Sequence, residues 1–200
     1  MSVDESPSPD QLFPRGRVVP DGAPEDLDVV RRVRSGDVES FAILVRRYEK
    51  PVYNAVRRMV RNREDARDLA QNAFLKAFRE LDSFDERYRF FSWLYRIALH
   101  EALNHLRGSG RSEPLPVERS DPSPGPEGDA AARQRSRLLE DALTRLSPDH
   151  RMVILLRHFG KFSYAEIGDA LGLPEKTVRS RLFEARRSLR SMLVDLGVVR

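Results

Sequence analysis

The sequence predicts an all-α protein of two small helical domains joined by a flexible linker, and three observations carry that expectation. Apolar residues recur at helical spacing through residues 27–107, as in Phe41, Leu44, Val45 and Tyr48 followed by Val52, Val56 and Val60. A second helical block opens near Ala130 and runs to about Leu196, with Leu138, Leu139, Ala142, Leu143 and Leu146 on one stripe. Between them, residues 108–129 crowd prolines, glycines, serines and charges into one stretch, the composition of an interdomain linker. No stretch alternates apolar and polar residues as a half-buried strand does.

Taken in order, residues 1–26 are rich in Pro, Ser and Asp with little apolar periodicity. They bury too little surface to offset the entropy of ordering, and are expected to form a disordered acidic tail. Residues 27–107 form the first domain, 108–137 the linker and 138–200 the second domain. With 200 residues, 40% of them hydrophobic, the chain can build one medium core or two small separate ones.

Composition also excludes function classes. The chain has no cysteine, which removes disulfides, thiolate nucleophiles and cysteine-ligated metal sites, and its four histidines are scattered. No metal, cofactor or catalytic constellation is expected, because the acids sit mainly in i, i+3 or i, i+4 company with arginines. The start lacks the apolar run of a signal peptide, and nothing approaches the roughly 18 apolar residues of a membrane span. A cytoplasmic location is the expectation. The net charge of +4 combines an acidic tail with two basic helical blocks. That pattern suits either a polyanionic partner or a merely solvated arginine-rich surface.

The most specific local pattern lies at 162–182. Ser163 and Glu166 form an S-x-x-E capping box for a short helix, Gly172 supplies a left-handed terminus, and Pro174 opens a second helix. On that second helix Val178, Leu182, Ala185 and Leu189 share an apolar stripe. The opposite face gathers Lys176, Thr177, Arg179, Ser180, Phe183, Arg186, Arg187 and Arg190. This is a helix-turn-helix whose basic helix carries side chains suited to phosphates and to base edges in a major groove. Phe183 either touches a thymine methyl or packs on a neighbouring element.

The first block carries Ser35-Gly36-Asp37, then Phe41 and Tyr48, then the run from Asn62 to Phe74, then Phe91-Ser92-Trp93-Leu94-Tyr95-Arg96-Ile97-Ala98. In order and spacing this resembles the second domain of the extracytoplasmic-function (ECF, group IV) sigma factors of bacterial RNA polymerase. The block from Leu146 to Arg186 resembles the same family's fourth domain. The resemblance implies that the helix from Asp65 to Leu81 docks on the clamp of the largest polymerase subunit, with Ala66, Leu69, Ala73 and Ala77 inward. Asp65, Asp68, Gln71, Asn72, Leu75 and Arg79 would meet the polymerase. Read from its residues alone, the same helix is better taken as a solvated surface helix.

The resemblance further implies that Asp82 to Phe90 captures a flipped base of the −10 promoter element and that Phe91 to Arg107 contacts its upstream part. Phe84, Arg87, Tyr88, Arg89, Arg96, His100 and Asn104 are the candidates, since extruded bases are held by stacking and cationic contacts. Trp93, with Leu94, Ile97 and Ala98, has the spacing of a buried face and is read as structural. His100 is read as a neutral hydrogen-bonding group. The chain departs from the family pattern at His100, Asn104 and Asn72, so base preference does not transfer. The second domain would enter the −35 major groove and meet the polymerase flap, with an anti-sigma factor as a further partner. The rival reading is a conventional helix-turn-helix regulator acting on an operator without replacing sigma; residues 27–107 speak against it.

Overall fold

The computed structural model describes residues 24–108 and 130–198, so the tail up to residue 23 and the linker from 109 to 129 lie outside the described residues. All regular elements among the described residues are helical. The first block comprises α1 (Pro24–Arg34), α2 (Phe41–Met59), α3 (Arg63–Arg79) and α4 (Phe90–Gly108), with short 3₁₀ turns at Val38–Ser40 and Leu81–Ser83. The second comprises α5 (Ala130–Arg145), α6 (Pro148–Ile154), a π-helical turn at Leu155–Phe159, α7 (Tyr164–Leu171) and α8 (Glu175–Asp195).

Helices α2, α3 and α4 pack on one another and α1 lies across α2. The stripe Leu44, Tyr48, Val52 and Val56 of α2 is completely buried, as are Ala66, Ala73 and Ala77 of α3. Small residues on α3 let its backbone approach α4 closely. Pro51 sits inside α2, where it forgoes the bond to the carbonyl four residues earlier. Asn62 caps α3, its Oδ1 accepting from the amides of Glu64 at 2.8 Å and Asp65 at 3.3 Å.

Two boundaries move. Helix α1 begins at Pro24, so Glu25 and Asp26, assigned to the tail from composition, are its first-turn acids. Asp26 is buried and accepts from Tyr48 Oη and Arg47 Nη1, while Arg47 Nη2 donates to Glu25 at 3.0 Å. Helix α5 begins at Ala130, so the last eight positions of the expected linker are helical.

In the second block α6, α7 and α8 pack together and α5 lies against α8. Ser147 caps α6, accepting from the His150 amide at 3.3 Å, and Pro148 stands at the first helical position, where its missing N–H costs nothing. The π-helical turn ends at Gly160, whose Cβ would meet the Phe162 ring at 2.7 Å and the Leu156 carbonyl at 2.9 Å; no other residue fits unchanged.

The two blocks do not keep separate cores. One cluster of buried side chains runs through both, because α6 packs on α2 and α4, and α5 on α2. Arg151, only 6% exposed, is the polar tie at this junction. Its guanidinium donates to Leu143 O at 2.8 Å, Thr144 O at 2.6 Å and Leu146 O at 2.9 Å around the end of α5, and across the junction to Met59 O at the end of α2. Carbonyls left over at two helix ends thereby share one cation.

Candidate nucleic-acid interface

The helix-turn-helix has the local geometry its sequence predicts. Glu166 N donates to Ser163 Oγ at 3.2 Å and Ser163 N to Glu166 Oε2 at 2.7 Å, closing the capping box at the start of α7. Gly172 ends α7 with φ 63°, in the left-handed region. The turn is tight: Leu173 N donates to Gly168 O at 2.9 Å, and a Cβ on Gly168 would stand 2.7 Å from Leu173 O. Val178, Leu182, Ala185 and Leu189 are buried, which fixes the rotation of α8. Pro174 precedes α8 as its cap residue.

That rotation exposes Lys176, Arg179, Ser180, Phe183, Arg187 and Arg190, and leaves Thr177 and Arg186 half-buried. Phe183 is 66% exposed, so its ring is available to a partner rather than packed in the core. Arg179 Nη2 pairs with Glu175 at 2.6 Å and its guanidinium lies 5.6 Å from the Tyr164 ring centre. Arg186 Nε donates to His158 Nε2 at 3.2 Å, so that imidazole nitrogen carries no proton. Exposed pairs of the Arg179 kind hold little free energy, about 0–1 kcal/mol, and yield readily to a phosphate or a base.

The loop before α4 is more constrained than its sequence suggests. Phe84 is buried, its ring 5.7 Å from Phe90 and 5.2 Å from Trp93, so it is a pillar of the core and offers no face for a base to stack on. The expectation that Phe84 holds a base fails for this reason. Trp93 is half-buried against the same rings. Between the pillars Phe84 and Phe90, the loop projects Arg87, Tyr88 and Arg89 into solvent, Tyr88 being 54% exposed. Arg87 is held over Asp85 by contacts of 2.5 to 3.0 Å.

On α4, Asn104 is exposed, while Arg96 and His100 are half-buried. His100 Nε2 lies 2.9 Å from the Ala170 carbonyl of α7 and therefore donates to it. Burial lowers the His100 pKa, the bond to Ala170 works the other way, and the nearby charges of Arg96, Lys76 and Arg107 lower it further. The imidazole is neutral, and as packed it faces α7 rather than open solvent.

The outer face of α3 presents Asp68, Gln71, Asn72, Leu75 and Arg79, with Leu75 53% exposed. Asp65 departs from this face: it is half-buried, 3.3 Å from His105 of α4. Lys76 is tied to Glu101 at 2.8 Å. Sequence reasoning missed Arg31, Arg34 and Glu86, which fasten the loop to α1. Their separation of more than fifty positions gives no local signal.

Among the described residues no His, Asp or Glu cluster is arranged to hold a metal ion, and no helix is long and apolar enough to cross a membrane. Comparison with known proteins gives a consistent answer. The sigma-70 region 2 model matches residues 44–112 and the sigma-70 region 4 model residues 136–189. The ECF RNA polymerase sigma-E factor of Escherichia coli K12 is 36% identical over 176 residues, covering 82% of this chain and 92% of the relative. The RNA polymerase sigma-H factor of Pseudomonas aeruginosa is 34% identical over 184 residues, 86% and 95% of the two chains. Among solved structures, the sigma factor RpoE of Bartonella quintana, crystallised with the anti-sigma factor NepR, superposes with a TM-score of 0.63. It is 25% identical, over 78% of this chain and 97% of that one. CnrH, solved with the cytosolic domain of CnrY, gives 0.60 at 27% identity over 84% and 96%. With both helical blocks matched in order and relatives above 30% identity along most of its length, the chain belongs to the family of ECF RNA polymerase sigma factors.

Proposed function

We propose that this protein is a promoter-specificity subunit of cytoplasmic RNA polymerase, not an enzyme: it docks on core polymerase through the outer face of α3 and reads promoter DNA with α8 and with the loop and helix at 85–104. The observation that carries this reading is the exposed basic face of α8, set by a capped and glycine-turned helix-turn-helix, in a chain whose other half matches sigma-70 region 2. A B-DNA major groove about 12 Å wide accepts a helix presented in this way. On this reading Lys176, Arg179, Ser180, Phe183, Arg187 and Arg190 meet the −35 element, Tyr88 and Arg87 the −10 element, and Leu75 is the apolar anchor among polar contacts on the clamp. An anti-sigma factor is the expected regulator, since one structural neighbour, the sigma factor RpoE of Bartonella quintana, was solved in complex with the anti-sigma factor NepR.

Promoter engagement requires the blocks to separate. The −10 and −35 elements lie about 25 base pairs apart, roughly 85 Å along B-DNA at 3.4 Å per base pair. His100 and α7 are in direct contact at 2.9 Å. The packed form and the promoter-bound form are therefore different arrangements of the same two units.

The test is reconstitution: the purified chain is mixed with bacterial core polymerase, and transcription is read from fragmented genomic DNA. Stable co-elution with new start sites is expected. Replacing Arg179 and Arg187, both exposed on α8, with Ala should lower −35-dependent initiation about tenfold or more, given roughly 1–3 kcal/mol per good base contact, with core binding unchanged. Sequence-specific DNA binding by the free chain without polymerase binding would instead identify a conventional regulator.

A further inference from the structure

The loop proposed to read the −10 element is only partly held by its own contacts, a turn in which Asp85 accepts from the Arg87 amide at 3.0 Å and from the Tyr88 amide at 3.0 Å. Its inner side rests on α1, a helix that precedes the region 2 match beginning at residue 44. Arg34, with a side chain 24% exposed, directs Nη2 at three loop carbonyls: Leu81 O at 2.7 Å, Asp82 O at 3.2 Å and Phe84 O at 2.7 Å. Its Nη1 donates to Glu86 Oε1 at 3.0 Å, while Arg31 donates to Glu86 Oε2 from Nη2 at 2.7 Å and from Nε at 3.0 Å. Both oxygens of one loop carboxylate are thus held by two arginines one helical turn apart.

The consequence is geometric. Phe84 and Phe90 anchor the two feet of the loop in the core, and Glu86 is fixed from beneath at its near shoulder. What remains to project is Arg87, Tyr88 and Arg89, on backbone that follows directly from the anchored Glu86, with the Arg87 side chain turned onto Asp85. A planar guanidinium suits this task, since one fork serves carbonyls and a carboxylate at once, which an ammonium cannot reproduce. Helix α1 is in turn pinned to α2 by the buried contacts of Asp26 with Tyr48 and Arg47. A continuous strut therefore runs from the α2 core through α1 to the loop.

We propose that Arg34, with Arg31 acting through Glu86, is a positioning residue for base selection by the 85–89 loop, so that α1 contributes to −10 specificity without touching DNA. This rests on the reading of the loop as the −10 contact. The shared carboxylate makes the inference specific: Arg34→Ala, Arg31→Ala and Glu86→Gln should all affect the same promoter position.

The experiment uses the full chain bound to core polymerase and a promoter library varied at each −10 position, with open-complex formation as the readout and core affinity measured alongside. Arg34→Ala is expected to reduce the preference for the favoured base at one −10 position by about tenfold, the scale of one well-placed base contact, leaving the other positions and core binding unchanged. Arg34→Lys should not restore that preference. Glu86→Gln and Arg31→Ala, partly or largely exposed substitutions that keep the fold, should reduce it at the same position by a smaller factor. A uniform drop at every position with base ratios intact, or full rescue by Lys, would overturn the proposal. Tyr88→Ala and Arg87→Ala separate the two levels. If they alter selectivity while the α1 and Glu86 variants do not, the strut is refuted and the loop reading stands. If none alters it, the loop is not the −10 reader and both ideas fall.

Discussion

Asp26 shows how a single side chain can carry more than its local sequence suggests. Asp26 is 1% exposed and its carboxylate meets Tyr48 Oη and Arg47 Nη1 together, so removing it leaves a buried hydroxyl without its acceptor and Arg47 with Glu25 alone. Asp26→Ala should destabilise the chain by about 3 kcal/mol in urea unfolding, the range for breaking a buried charged pair, and Tyr48→Phe by about 1 kcal/mol. Arg151 presents the same situation with the opposite charge. Burial pulls its pKa down to about 10, with the charge of Arg61 adding to the effect, yet four backbone carbonyls satisfy it. Arg151→Met should cost about 3 kcal/mol, because the four carbonyls it holds, Met59 O at the end of α2 among them, each lose a charged donor in a dry setting. Neither residue stands out by composition. One lies in a segment that reads as tail, and the other is one arginine among many.

At the scale of elements, the helix-turn-helix depends on backbone chemistry that is written locally. Ser163→Ala removes half of the capping box and should cost about 1 kcal/mol. Gly168→Ala places a methyl against Leu173 O, where an ideal Cβ stands at 2.7 Å, and must spread α7 from α8. The expected outcome is weaker −35 binding in a gel-shift assay with the polymerase-bound protein, even though the substituted residue is buried and cannot reach DNA. This motif was legible in the sequence because caps, glycine turn and apolar stripe all lie between Ser163 and Leu189. The loop at 85–89 was legible only as a loop. Its aromatic and basic composition is the same whether Phe84 stacks on a base or fills the core, and burial beside Phe90 and Trp93 decides for the core.

For the whole molecule, the packing of the two blocks sets what must change before a promoter can be bound. The junction has an apolar centre, the Arg151 tie, the Arg58 guanidinium 4.4 Å over the Phe159 ring, and a rim that includes Arg107 to Asp149 at 2.8 Å and His100 to Ala170 at 2.9 Å. The rim ion pair is largely exposed and contributes little. His100 makes closure sensitive to acid. Its pKa in the packed state lies below the ordinary histidine value, so its contribution is fully present above about pH 6.5 and is lost as pH falls through the lowered value. Scattering from the free protein should show the dimensions increasing as pH falls below about 6.5, and His100→Gln should flatten that response. Unchanged dimensions in the wild-type chain would show that His100 does not govern closure.

What the sequence determined by itself is the set of helices, their caps and turns, the division into two blocks and the family, because each rests on periodicity or on residues close along the chain. What only the tertiary structure decided is where those helices lend one another their side chains. Arg34 finds Phe84 fifty positions away, His100 finds Ala170 at seventy, and Arg151 finds Met59 at ninety-two. The physical reason is that buried polar groups take their partners from whatever backbone the packing brings within reach, and that choice is made by the core as a whole rather than by any stretch of chain.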